Sequence, residues 1–218
     1  MEKNRSSKVI AVVALCVAIV GLTLGFAAFS NTLNIEPNAT VNPTGETFSV
    51  NFSSSASAVE TDLVIPTKNP TSLVAGNATI NNAGSNPQIS GLTATFTEPG
   101  QSATYTFYVH NIGEYDAFLK SITYNNATSG DTFKVCTAGE ETTDSLVQAA
   151  CDDITVSVTV GATGPVTTTN SNITGHLLAI DDYETVTVKI EYASGGDTAD
   201  GDFTVAFGDI ALLYSSVD

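Results

Sequence analysis

Several stretches of this chain alternate apolar and polar residues with a period of two. Ala103, Tyr105, Phe107 and Val109 are apolar, while Ser102, Thr104, Thr106 and His110 fall between or beside them. Ile154, Val156, Val158 and Val160 alternate with Thr155, Ser157 and Thr159, and Val186, Val188, Ile190 and Tyr192 with Thr187, Lys189 and Glu191. Phe48, Val50 and Phe52 make a shorter run, and Phe203, Val205 and Phe207 begin a last one. Successive side chains of a strand point to opposite faces, so each run predicts a strand with one buried face. A slip of one residue would turn that face to water. After Gly208-Asp209 the apolar set moves to Ile210, Leu212 and Tyr214, which predicts a bulge or kink within the last strand.

Turn formers separate the runs: Pro43-Thr44-Gly45, Glu98-Pro99-Gly100, Asn111-Ile112-Gly113, Gly161 to Pro165, and Gly195-Gly196-Asp197. Trp is absent, Met occurs once and only 7 of 218 residues are Lys or Arg, which suits strands joined by polar turns better than helices. The expected fold is all-β: a jelly-roll-like antiparallel β-sandwich preceded by an N-terminal hydrophobic helix. Thr143 to Ala150 is the one helical candidate in the body, with Thr143 or Asp144 as its cap. Two segments, Gly91–Phe107 and Gly175–Ile190, share a layout of apolar strand, acidic turn and alternating strand, and are expected to form hairpins.

Val9 to Phe29 is 21 residues without a charge, preceded by Lys3, Arg5 and Lys8. It is long enough to cross a bilayer as a helix and has the layout of a signal peptide. Positive charge stays inside, so the remainder is exported to the cell surface or beyond it. Residues 1–28 are therefore a signal peptide or anchor, 29–45 an N-terminal strand segment, and 46–218 a β-sandwich domain with an insertion at 136–151. From Phe29 onward four basic residues face 22 acidic ones. Such a body repels nucleic acid and anionic lipid, so membrane contact is expected through residues 9–29 only.

Cys136 and Cys151 bracket the polar insertion and are expected to pair in an oxidising compartment; two buried thiols are the alternative. Cys16 reads as apolar filler within the leader. Of the Asn-x-Ser/Thr sites at Asn38, Asn51, Asn77, Asn126 and Asn172, chance supplies several in a chain this rich in Asn and Thr.

Reactive chemistry is hard to assemble from these residues. Zinc hydrolysis needs about three ligands and an open position, yet the chain has two histidines, His110 and His176, 66 positions apart and outside any H-E-x-x-H helix. Both read as surface or turn residues. No G-x-S-x-G occurs, and no Gly-rich phosphate loop opens a helix. The protein is expected not to be an enzyme and to need no cofactor, calcium being the one inorganic candidate. Asp197, Asp200 and Asp202 place three carboxylates in a Gly-rich turn. A solvated acidic turn is the alternative.

Phe29, Leu33, Ile35, Ala39 and Val41 fall on odd positions among polar neighbours, a strand pattern broken by Pro37. This is either the first strand of its own domain or a donor strand that adds to the sheet of another subunit. A donated strand makes a head-to-tail contact that does not close, so it propagates as a filament.

Three segments carry a family resemblance. Phe26-Ala27-Ala28-Phe29-Ser30-Asn31 resembles the processing site of TasA/camelysin-like proteins. Val109-His110-Asn111-Ile112-Gly113, with the acidic step and strand after it, is similar to that family's Val-x-Asn-x-Gly pattern. Phe207 to Tyr214 looks like its closing strand. The resemblance implies cutting by a dedicated signal peptidase between Ala28 and Phe29. It further implies a structural subunit of an extracellular filament or biofilm matrix, partnered by other copies of itself through Phe29, Leu33 and Ile35. A membrane-anchored adhesin or binding module, or a secreted metallopeptidase of the camelysin type, are the competing readings.

Overall fold

The computed structural model describes residues 30–35, 48–56, 63–83, 87–124, 134–139, 144–207 and 210–216. The leader, Thr143, Phe29 and the glycosylation candidates Asn38 and Asn126 lie outside them. The strands are β1 (Ser30–Ile35), β2 (Val50–Ser53), β3 (Leu63–Val64), β4 (Thr67–Asn69), β5 (Val74–Ala75), β6 (Ala78–Asn81), β7 (Gln88–Ser90) and β8 (Ala94–Phe96). They continue as β9 (Ser102–Asn111), β10 (Ala117–Tyr124), β11 (Lys134–Ala138), β12 (Ile154–Val160), β13 (Leu177–Leu178), β14 (Tyr183–Tyr192), β15 (Phe203–Phe207) and β16 (Ile210–Ser215). Helix α1 (Asp144–Asp152) is the one helix among the described residues.

The protein is mostly β, as the alternation predicts. One sheet runs β13-β10-β16-β1-β7-β6-β3, a second β11-β15-β8-β5, and a third β12-β14-β9-β2, with β4 also on β9. Every pairing is antiparallel except β1 with β7. The strongest alternations form the third sheet, where Val186 stands opposite Phe107 and Val160, and Val188 opposite Tyr105 and Val158. These side chains are fully buried, and one apolar cluster collects residues from all three sheets. Burying a Phe or Val side chain contributes about 1.5–3 kcal/mol. Phe52 meets Phe107 edge-on at 5.4 Å, a geometry aromatic rings favour. The Tyr105 hydroxyl lies 2.8 Å from the carbonyl oxygens of both Gly76 and Thr93 and accepts the Thr93 N–H. Burial pushes its pKa up to about 12.

Helix α1 buries Val147, Ala150 and Cys151, and a disulfide joins Cys151 to Cys136 on β11 across a separation of 15 residues. Closing a loop of that length contributes roughly 3 kcal/mol in the chain-entropy picture. Lys134 donates to the carbonyl oxygens of Asp152, at 3.1 Å, and Ile154. It thereby caps the helix C-terminus, and desolvation lowers its pKa.

Two local expectations are corrected. Gly91–Phe107 and Gly175–Ile190 are not hairpins: β8 pairs with β5 and β15, β9 with β2, β4 and β14, and β13 with β10 rather than β14. Each acidic turn carries the chain from one sheet to another. Likewise Phe203 to Ser215 is not one kinked strand, since β15 lies in the four-stranded sheet and β16 in the seven-stranded one. The shift of the apolar set marks a change of sheet. The register irregularity falls instead in the partner β10, between Leu119 and Ser121.

Candidate functional site: the slot of the N-terminal strand

β1 occupies the middle of the seven-stranded sheet. It pairs antiparallel with β16 from Ser30↔Ser215 to Ile35↔Ile210, and parallel with β7 at Asn34↔Gln88 and Ile35↔Ile89. Leu33 and Ile35 thus stand opposite Leu212 and Ile210, and Asn31 opposite Tyr214. Leu212, Ile210, Tyr214 and Ile89 are all fully buried. The odd positions of β1 are thus in register with buried positions of β16. Without β1, β16 and β7 would each present an unpaired row of N–H and C=O groups, which is a template for another strand.

A polar bridge lies beneath the slot. The buried Tyr214 hydroxyl of β16 donates to Glu184 Oε2 of β14 at 3.3 Å, and Glu184 Oε1 shares a hydrogen bond with His176 Nε2. Desolvation raises the Glu184 pKa, against the pull of His176 in the opposite direction. Burial, with the Glu184 carboxylate nearby, pushes Tyr214 well above its ordinary value. The bridge fastens β16 to β14.

The end of the sandwich where β1 begins is organised by Asn111, which has no solvent exposure. Its Nδ2 donates to the carbonyl oxygens of Tyr115, at 2.9 Å, and Leu178, at 3.1 Å, and its Oδ1 accepts Gly113 N–H at 3.1 Å. Its backbone bonds Asp181 and Asp182, in a turn where Asp181 has φ 60°, a conformation that Asp tolerates better than most residues. One side chain thus ties the 111–117 and 178–182 turns together. All its polar atoms are satisfied, as burial demands.

The structure does not gather the residues considered for chemistry. His110 stacks on Tyr183 with centroids 3.8 Å apart, on the face of β9 opposite to buried Val109. His176 bonds Glu184, which stands opposite Val109. The two histidines therefore occupy opposite faces of one sheet. Both are partly exposed, His110 near the end of β9 and His176 just before β13, and each is held by a partner. No three His, Cys, Asp or Glu side chains cluster as metal ligands among the described residues. Asp197 donates its backbone N–H to Asp153 Oδ2 at 2.7 Å. A groove of about 350 Å³ beside the disulfide is lined by Lys134, Gln148, Asp152 and Thr155, but the Lys134 ammonium already serves two backbone carbonyls. Asn77 and Asn172 are exposed, whereas Asn51 lies within β2.

Sequence reasoning missed the Tyr214–Glu184–His176 bridge and the organising role of Asn111. The only available signal for Asn111 was its place after an alternating run and before Gly113. Among the described residues no helix is long and apolar enough to cross a membrane. No protein-family profile, curated protein or solved structure matches the chain.

Proposed function

We propose that this chain is a non-catalytic structural subunit of an extracellular filament or biofilm matrix. In this reading it is exported behind residues 1–28, cut between Ala28 and Phe29, and folded as a jelly-roll-like sandwich. Assembly proceeds head to tail as β1 of one copy enters the slot of the next. The observation that carries the reading is the position of β1: it is the first described strand of the chain, yet it fills the centre of a sheet between β16 and β7. A strand joined to its body at one end only can occupy its own slot or an identical one in a neighbour at the same set of hydrogen bonds. Such an exchange adds no new chemistry and propagates because the contact is heterologous. The resemblance to TasA/camelysin-like proteins at Phe26–Asn31 and Val109–Gly113 supports the same reading.

Thr32 and Leu213 stand opposite each other in register, and antiparallel partners have Cα atoms about 4.5–5.5 Å apart, within reach of a disulfide. In the secreted protein carrying Thr32→Cys and Leu213→Cys, assembly under reducing conditions followed by oxidation is expected to give a covalent ladder of multimers on a denaturing gel. Protein oxidised before assembly is expected to stay monomeric and to form no fibres by electron microscopy. Fibres that yield only internally crosslinked monomers would refute strand exchange.

A further inference from the structure

Exposed Ile112, Tyr115, Leu177 and Ile180 gather at the Asn111 end of the molecule. Their neighbourhood is fixed by the backbone: Ile112 N–H donates to Ser49 O, Asn111 Nδ2 binds the carbonyls of Tyr115 and Leu178, and Leu177 pairs with Phe118. Phe118 pairs with Ser215, and Ser215 with Ser30. The start of β1 and the four apolar side chains therefore share one end of the sandwich. Ser30 and Leu177 are three strand spacings apart, about 15 Å.

The sequence adds a constraint on what this end can face. The uncharged run Val9–Phe29 stops at the residue before Ser30, and Ser30 is already paired in the sheet. There is no spacer: one residue spans at most about 3.6 Å. If that run lies in a bilayer, the body cannot stand away from it. Ser30, and with it the Asn111 end, must then sit at the headgroup layer.

We propose that, before the leader is cut, the body docks on the bilayer through Ile112, Tyr115, Leu177 and Ile180. The surface suits that occupant. Isolated aliphatic side chains and a Tyr on turns are what enters an interfacial layer, where an aromatic ring with a polar tip is favoured. The rim carries Glu114, Asp116, Asp181 and Asp182, all exposed, so the preferred surface is zwitterionic lipid rather than anionic lipid. Docking would hold β1 in its own slot with its start pinned at the membrane. The cut would release both the strand and the apolar end together. The inference rests on the leader entering the membrane, and does not require that filaments form.

The test compares full-length protein in phosphatidylcholine vesicles with protein starting at Phe29. Each carries Ile112→Cys or Leu177→Cys, with Thr155→Cys on exposed β12 as the control, and a water-soluble maleimide reports access. Labelling at 112 and 177 is expected to fall about tenfold or more in the vesicle-bound full-length chain, because a thiol in an apolar layer is seldom ionised. Labelling at 155 should stay unchanged, and all three sites should label rapidly in the cut protein. Equal labelling at 112 and 155 in vesicle-floated protein would overturn docking while leaving the leader assignment intact. Full-length protein that fails to float with vesicles would overturn both. Protection at 112 that appears in the cut protein and grows with its concentration would assign the surface to a second copy instead, and overturn the lipid proposal.

Discussion

β14 and β1 each lie between two partners, yet they are held in different ways. β14 pairs with β9 over nine register positions and with β12 over seven, antiparallel on both sides. The chain continues from both of its ends into described structure. β1 pairs with β16 over six positions but with β7 over two, and that second contact is the one parallel pairing described. Parallel ladders are slightly weaker per residue. Extracting β14 means threading the chain through the sandwich, whereas β1, once the chain is cut after Ala28 as proposed, is joined to its body at one end only. In the proposed reading the same kind of backbone hydrogen bond holds one strand as a fixed part of the core and the other as an insert, and topology rather than residue type makes the difference.

The largest expected effect probes the fixed side of this comparison. Phe107 on β9 is fully buried between β14 and β2 and meets Phe52 edge-on. Phe107→Ala is expected to cost about 3–5 kcal/mol in urea unfolding, from lost burial plus the cavity left behind. Adding a peptide of residues 30–35 should restore none of it, because the damage lies in the sheet that β1 does not complete. A cost under about 1 kcal/mol, or rescue by the peptide, would break the division between a locked core and an exchangeable insert.

The next effect measures the difference directly. Proteins open locally at free energies below the global value where fewer contacts hold a segment. Native-state amide exchange is expected to place Val186, Val188 and Ile190 of β14 at the global unfolding free energy. Amides of β1 should open at least about 2 kcal/mol more readily. Equal protection across both strands would mean that β1 leaves only when the whole molecule unfolds, and strand exchange would then require unfolding.

How much of this could be read from the sequence follows the same division. Ala103 to Val109, Ile154 to Val160 and Val186 to Tyr192 showed themselves as strands because each buries one face along most of its length. The two-residue strands β3, β5 and β13 are too short for any period to emerge. Alternation also says nothing about which strand is the neighbour. It reads the same for a hairpin and for a step between sheets, so Gly91–Phe107 and Gly175–Ile190 read as hairpins and the change of sheet between β15 and β16 reads as a kink. Leu33 and Ile35 are visible as a strand pattern, but their slot lies between β16 and β7, which are far from β1 and from each other in the chain. Tyr214 shows in the Ile210, Leu212, Tyr214 alternation as a buried side chain, but Asn111, His176 and Glu184 carry no periodic signal, and polar groups that meet across sheets are brought together by topology alone.

The smallest effect tests that polar bridge, and through it the comparison again. Burial raises the Glu184 pKa in the folded protein above its unfolded value, with His176 opposing. A raised carboxyl pKa contributes stability that is fully present below the unfolded pKa and is lost as pH rises through the folded one. Glu184→Gln removes the ionisation while keeping an acceptor oxygen for the Tyr214 hydroxyl and an amide group beside His176 Nε2. The variant should therefore match wild type in acid and exceed it at neutral pH by about 1 kcal/mol or less, the difference opening as pH rises through the carboxylate range. Tyr214 and Glu184 belong to β16 and β14, neither of which leaves with β1, so only the global value reported by β14 should move. The opening free energy of β1 should be the same in both proteins, since its closed and open forms share the bridge. A shift of the β1 amides in step with those of β14 would show that the N-terminal strand has no independent exit, whatever its place in the chain.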